Sequence, residues 1–521
     1  MSESCDVLVI GAGPTGLALS IALRQYGVDT VVVDKEPSTK REARACVIWQ
    51  RALEVLRDLG CADRLHVEGL SLRRAEIHAR GRALGGHDMS MTDTAYPQPL
   101  SIEQDATERL LGDRLTELGT EVLWSTEAVD VRVAGDGAET ELRGPDGKVR
   151  TVHSRWVVGC EGSRSLVRTS LDIPFEGERR PNLQAVQINA KADWRPRYAP
   201  DVTYFFLEHQ VCVIASPLPS GGYRFFCFCT DPDPRIDEPP SVSEMQSLVA
   251  RAAHDPNVRL VPTSPAWSNR ARFQDRLAGT LRTGPALLAG DSAHLWAPIG
   301  GHGLNTGLRG AHNLGWKLAA VHRGWAVDSL LDTYSTEQRR TAQEVMREMR
   351  RNVLELPPTR LTLHAMSLVG PTVLASERAG RRVRSMLSDF VMHYRASELS
   401  GLPGSSVGGG GSPRAGDRLP DLPVVVAGRR RSLHDLLSYE KWTLLLLPGA
   451  RADDAGVRRL ADTYAAPIDV VRVHAESGRH SGLPRGELLL VRPDGYLGLR
   501  ARASDRARVA AYLDRWLIRA A

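Results

Sequence analysis

The chain opens on a strand, a glycine turn, a helix and a second strand within its first 34 residues, and few local patterns restrict a fold so strongly. Residues 6–10 (DVLVI) form a continuous apolar run, residues 17–26 carry Leu17, Ile21 and Leu23 at helical spacing, and Thr30 to Val33 form a second apolar run that ends in Asp34. Strand, helix and strand in that order make the βαβ unit that begins a doubly wound sheet. Between strand and helix stands GAGPTG. Gly11 permits the tight turn, Gly13 lets the backbone approach a pyrophosphate, and Gly16 lets helix and strand pack closely. The helix start at Pro14 and Thr15 aims unpaired N–H groups and the positive end of its dipole at the phosphates. Asp34, followed by Lys35, stands about twenty positions beyond the turn, where a carboxylate accepts hydrogen bonds from adenosine ribose hydroxyls.

With 521 residues the chain exceeds what one hydrophobic core supports, so two or three domains are expected. Residues 104–118 read as a helix, and Arg155 to Cys160 as a buried strand running into Glu161-Gly162. From 179 to 280 the text turns to alternating or aromatic-rich strands broken by proline turns, which predicts an inserted sheet, with a short excursion of the same domain near 73–100. Residues 286–290 return to a buried strand, followed by a long glycine loop, a helix from about Gly310 to Arg323, and helical text to about 398. The expected division is a first domain over 1–178 and 281–400, the sheet domain over 179–280, a linker at 401–412 containing SSVGGGG, and a small α/β module over 413–521.

Composition narrows the function classes. The hydrophobic share of 42% and charged share of 25% exclude disordered and fibrous chains. A net charge of +5, almost all arginine, comes without a basic run, which argues against a nucleic-acid partner. The seven cysteines are odd in number and mostly set in apolar text, as reduced thiols are; none has the spacing of a metal site. No signal-peptide pattern opens the chain and no run reaches the roughly twenty apolar residues of a membrane helix, so a cytoplasmic protein without membrane contact is expected.

A second constellation, LLAGDSAHLWAPIGGHGLNTG over 287–307, is the strongest signal. Asp291, after Gly290, follows a buried strand, where a carboxylate can accept from a ribityl hydroxyl. Gly300, Gly301 and Gly303 let the backbone pass close to a flat ring, and a helix dipole aimed at that ring stabilises the charge of a reduced flavin.

With these motifs the chain resembles the class A flavoprotein monooxygenases of the p-hydroxybenzoate hydroxylase family, most of all the three-domain hydroxylases of phenols and polyketides. Gly11 to Gly16, Val158 to Arg168 (VGCEGSRSLVR) and Gly290 to Pro298 match the three family motifs, and RAGDRLPD and LVRPDGYLGLR match the C-terminal module. The resemblance implies a doubly wound, Rossmann-type FAD-binding domain with an inserted β-sheet substrate domain and a C-terminal thioredoxin-like domain. No cysteine lies beyond Cys229, so that last domain has no CxxC chemistry. The resemblance places Arg44 on the ADP part of FAD, Gln104 near the ribityl chain, Val129 at adenine, the Pro298 carbonyl beside the reactive edge of the flavin, and Gly303, Leu304 and Asn305 on the pyrimidine side. Three positions depart from the family pattern: Glu161 replaces an Asp, which moves its contacts to pyrophosphate and nicotinamide ribose by a methylene; His302 stands where relatives often have Gln; Gly310 stands where they often have Asp.

The implied reaction uses NADPH, with NADH open, and dioxygen, through a flavin C4a-hydroperoxide whose terminal OH passes to an electron-rich ring in a dry pocket. The partners are then a small aromatic substrate and O2, in a monomer or homodimer. Tyr204, His294 and Trp296 are candidates for helping to ionise the phenol; the competing readings are a sheet-core aromatic for Tyr204, a turn cap for His294 and core packing for Trp296. Baeyer–Villiger oxygen insertion and a degenerate FAD-binding protein are the alternative functions.

Overall fold

The apolar run that opens the chain becomes a strand sealed on both faces. Val7 to Ile10 of β1 (Ser4–Ile10) are buried, α1 (Pro14–Gln25) buries every residue from Gly16 to Leu23, and β2 (Thr30–Val33) lies parallel to β1. The computed structural model describes residues 4–39, 45–194, 198–230, 238–350, 357–402, 412–451, 453–474 and 483–520. Arg44 and the 405–411 part of the expected linker fall outside them.

The sheet grown from this unit runs, edge to edge, through Arg282–Thr283, Ala286–Leu288, Val149–Gly159, β1, β2 and Val122–Leu123. Four of the five pairings along this path are parallel, the exception being Arg282–Thr283 with Ala286–Leu288. This order decides where the site lies. Strands Ala286–Leu288, Val149–Gly159 and β1 are neighbours pointing the same way, so their carboxyl ends deliver Gly290-Asp291, Glu161-Gly162 and Gly11 to one rim. Ligands of open α/β sheets bind outside that rim. Helices α2 (Gln50–Asp58) and α3 (Gln104–Glu117) belong to the same part of the chain.

The second sheet has nine strands. In spatial order they are Arg82–Asp88, Arg74–Ala79, Val202–Glu208, Val211–Pro217, Tyr223–Cys229, Phe175–Asp193, Ser268–Ala278 and His294–Leu295, with Arg259–Pro262 pairing off Phe175–Asp193. Arg74–Ala79 and Arg82–Asp88 fall within the excursion expected near 73–100, and the motif at 294–295 adds one strand more. Side chains alternate between two faces. One face is aromatic and is covered by α4 (Val242–Ala253) through Met245 and Val249. The other packs Leu207, Phe228 and Leu277 with Trp296, Ala297 and Ile299 of the motif loop.

Four helices follow: α5 (His302–His322), α6 (Asp332–Met349), α7 (Arg360–Leu374) and α8 (Glu377–Leu387). The sequence reading starts the first of them near Gly310; the structure starts it at His302. Gly307, read as part of the loop, is a contact point of a helix. A Cβ on Gly307 would strike Thr15 Oγ1, and one on Gly315 would sit 2.6 Å from Ala22 Cβ, so α5 crosses α1 closer than larger residues allow.

The C-terminal module is a four-stranded sheet, Ile468–Arg472, Trp442–Leu446, Glu487–Val491 and Leu497–Arg502, with helices Asp454–Ala461 and Arg506–Trp516 and a hairpin at 423–432. The first strand pair is parallel and the next two antiparallel, the thioredoxin-like arrangement. Its junction with α5 and α6 is ionic and buried. Glu337 accepts from Lys317 Nζ at 2.7 Å and from Arg492 Nη1 at 2.7 Å, while Asp494 accepts from Asn313 Nδ2 at 2.9 Å and Trp316 Nε1 at 3.1 Å. Lys317, Glu337, Arg492 and Asp494 are all at most 2% exposed.

Candidate active site

The phosphate end is built by backbone. Gly11 has φ +104° and a Cβ there would lie 2.5 Å from the Cys160 carbonyl, so only glycine admits the adjacent strand turn. Around Gly13 a Cβ would meet nothing within 4 Å, and α1 begins there without a side-chain cap. The first-turn N–H groups of Thr15 and Gly16 have no partner within their helix. Thr15 is also a spacer: its hydroxyl side packs against Gly290, where a Cβ would come within 2.6 Å, and against Gly307.

The half-buried Asp34 accepts from Ala12 N at 2.7 Å through one oxygen and from Glu36 N at 2.9 Å through the other. Each oxygen keeps a second lone pair for a ribose hydroxyl. Lys35 is exposed. Val129 falls at an irregularity in the pairing of Glu127–Ala134 with Gly137–Arg143, where Asp130 faces Glu141 and Ala128 faces Leu142, so it has no facing partner in the register. Gln104 is turned into the protein: its Oε1 accepts from Ala45 N at 3.1 Å and its Nε2 donates to Glu108 at 2.8 Å.

Glu161 does not simply reach one methylene farther. Its carboxylate curls back over Gly159 and accepts from Ser165 Oγ and Val167 N at 2.9 Å and from Ser292 Oγ at 3.1 Å. Burial raises its pKa against those hydrogen bonds. The residue stitches the second motif to the third, while Gly162, with φ +86° and open space at its Cβ position, faces outward.

The third motif combines an exposed carboxylate, a glycine turn and a helix start. Asp291 is exposed at the rim. Pro298 stands before a turn in which Gly300 and Gly301 have φ +76° and +66°, and its carbonyl accepts from Gly301 N at 3.2 Å. Helix α5 then starts without a side-chain cap. His302, Gly303 and Leu304 are half-buried, all residues from Asn305 to Val321 are buried, and a Cβ on Gly303 would meet nothing within 4 Å. Asn305 serves the loop itself: Oδ1 accepts from Trp49 N at 2.8 Å, and Nδ2 donates to Gly301 O at 2.7 Å and Val47 O at 3.0 Å.

Two residues of this site carry no sequence signal. Trp49 donates its indole N–H to Gly300 O at 2.8 Å, clamping the turn from 251 positions away. Arg224 is buried on the substrate sheet, stacks 4.0 Å over Trp267 and donates to Asn189 at 2.6 Å; Asn189 donates to Glu103, the residue before Gln104.

The three proposed ionising residues separate. Tyr204 is on the α4 face of the sheet, in the aromatic cluster with Trp194, Tyr198 and Phe206, away from the motif loop. Its oxygen accepts from Ala199 N, and burial pushes its pKa up to about 12. This is the sheet-core role, and register explains it: even positions of 202–208 face α4, while Phe205 and Leu207 face the loop. His294 is buried, with burial and then Arg309 lowering its pKa to about 4, and it stacks on Trp296 at 4.7 Å. That shift favours the neutral ring near pH 7. Trp296 lies in the loop-facing cluster, and its Nε1 is buried without a hydrogen-bond partner.

Two uncapped helix starts, three glycines with open space above them and carboxylates at the rim form a cradle for an elongated dinucleotide with a flat ring, and FAD fits it. Family profiles agree: FAD binding domain over residues 4–349 and aromatic-ring hydroxylase, C-terminal, over 412–520. The chain belongs to the FAD-dependent aromatic-ring hydroxylases. Among its relatives, 6-methylpretetramide 4-monooxygenase of Streptomyces rimosus is 30% identical, across 98% of this chain and 93% of that protein. Among solved structures, anhydrotetracycline hydroxylase from Streptomyces rimosus has a TM-score of 0.77 at 29% identity, covering 98% of this chain and 99% of the other. Aklavinone-11 hydroxylase, solved with FAD and aklavinone, has a TM-score of 0.79 at 25% identity and 99% coverage of both. This hydroxylase is accordingly an FAD-dependent monooxygenase. Among its described residues no helix is long and apolar enough to cross a membrane, and no group of three or more His, Cys, Asp or Glu side chains could hold a metal.

Proposed function

We propose that the enzyme hydroxylates a polycyclic phenolic substrate of polyketide type, seated between the loop-facing side of the nine-stranded sheet and the 296–304 segment. One observation carries this reading. Phe205, Ile214 and Phe226 stand half-buried on three adjacent strands, in one apolar cluster with Trp296 and Ile299. An apolar wall beside a ring seat suits a flat, extended aromatic and keeps water out.

Within that site, the N–H groups of Thr15 and Gly16 hold the pyrophosphate, Asp34 the adenosine ribose, Asp291 the ribityl chain, and the first turn of α5 the pyrimidine edge of the ring. Bound FAD supplies hydride acceptance from a reduced nicotinamide, NADPH on the family resemblance, and activation of dioxygen. The Trp296 N–H donates to a substrate oxygen, since a buried indole N–H left unpaired costs about 1–3 kcal/mol. The Pro298 carbonyl, which keeps a lone pair beyond its contact with Gly301, accepts from the substrate hydroxyl and orients it.

The test is NADPH oxidation in air by FAD-loaded enzyme against a panel of polycyclic phenols, with product masses read from the same tubes. Stimulated oxidation with a one-oxygen mass gain is expected, and Trp296→Phe is expected to raise KM about tenfold. A full panel that neither stimulates oxidation nor gains oxygen overturns the reading.

A further inference from the structure

Helix α5 has no acidic residue in its own first turn, yet a carboxylate from elsewhere lies beside it. Asp389, just past the end of α8, has no exposed surface and a left-handed backbone, φ +62°. A non-glycine residue keeps that conformation where its surroundings over-determine it. Its Oδ1 is 3.0 Å from His302 Nδ1 and its Oδ2 is 3.4 Å from Arg309 Nε. His302, Thr306 and Arg309 recur at helical spacing on one face of α5, and Arg309 Nη2 donates to Thr306 Oγ1 at 3.1 Å.

The turn bearing Asp389 is also held to α2, because Ser388 O accepts from Arg51 N at 3.2 Å. Asp389 and Arg309 form a buried ion pair, with the His302 ring beside the other carboxylate oxygen. Burial would raise the pKa of Asp389, yet Arg309, then His302 and Arg51, hold it below the ordinary carboxylate value. The side chain is ionised, and Arg309 opposite it is 3% exposed.

We propose that Asp389 is a positioning residue that sets the electrostatic potential at the flavin-ring end of α5 by offsetting the buried Arg309. The inference rests on the reading of the 298–304 segment as the seat of the ring. Two-electron reduction leaves the flavin with added negative charge, so an uncompensated cation near its seat favours the reduced form and an uncompensated anion disfavours it. With Asp389 and Arg309 both present, the first-turn N–H groups act on the ring without a net charge from this pair.

The experiment is the midpoint potential of FAD-loaded Asp389→Asn, Arg309→Gln and the double variant, with FAD affinity measured in parallel. Asp389→Asn is expected to raise the ratio of reduced to oxidised flavin at fixed potential about tenfold, or about 30 mV for this two-electron couple, and Arg309→Gln to lower it by a similar factor. The double variant returns to the wild-type value. A purely structural role would move both single variants in one direction, and that result, or no movement in either, overturns the proposal. Should Asp389→Asn fail to load FAD, Arg309→Gln against the double variant still decides: the first must read low and the second must recover. Gly303→Ala separates the two claims, because a variant that binds FAD as well as wild type removes the ring seat itself. Weakened FAD binding there, with unmoved potentials in the charge variants, removes the proposal alone.

Discussion

The two halves of helix α5 are made by opposite means. Its first turn is half-buried and uncapped, with open space above Gly303. Farther along, Asn313, Trp316 and Lys317 have no more than 1% of their surface exposed and are bonded to Glu337, Asp494 or both. The lesson is a division of labour within one rod. A helix can hold its leading turn open for a ligand when its trailing half is fixed by bonds that water does not reach. Packing of a buried, hydrogen-bonded charge network holds position, whereas open backbone groups supply recognition.

The sharpest way to break this contrast is at the buried end. Glu337→Ala leaves Lys317 and Arg492 facing one another without their shared carboxylate, and should cost about 3–5 kcal/mol in urea unfolding monitored by tryptophan fluorescence. The same residue sets an acid limb. Burial would raise its pKa, but Arg492 and Lys317 bring it to about 2, below the ordinary value of 4.5. A depressed carboxylate stabilises fully above its unfolded pKa, so stability should fall as pH drops from 4.5 toward 2, and Glu337→Gln should flatten that limb. An unchanged limb would mean that other carboxylates govern acid unfolding.

Between the two ends, Gly307→Val forces a branched side chain against Thr15, separating α5 from α1. Overpacking of this kind costs about 1–3 kcal/mol and should weaken FAD binding together with stability, as read by fluorescence titration and thermal unfolding. The smallest effect on stability belongs to the open end. Gly303→Ala meets no atom within 4 Å, so apo stability should hold or rise by up to about 1 kcal/mol through helix propensity, while FAD affinity falls. A parallel loss of both would show that the first turn is structural.

The same contrast governs what can be read from sequence. The opening βαβ unit and the 287–307 motif are legible because strand, turn and helix lie within one short window, where local spacing carries the geometry. Alternation predicts that Val202 to Leu207 is a strand but does not say which face meets the loop, and Tyr204 is on the other one. Gly307 reads as part of a loop because its contact, Thr15, lies almost 300 positions away. Trp49, Arg224 and Asp389 have no local signature for the same reason: each acts across the fold, through a partner that only the folded chain brings near.

The junction with the C-terminal module bears on the order in which the protein can be completed. Chains emerge from synthesis amino end first, and domains fold as they appear. Strand β1 and helix α5 are made early, but Arg492 and Asp494, which close the charge network on α5, belong to a much later segment. Until that segment arrives, Lys317 and Glu337 lack two of their buried companions, and the helix that would present its first turn to the flavin lacks its final brace. Maturation of the cofactor pocket is thereby tied to the making of the later module, whose Arg492 and Asp494 brace the trailing half of the helix.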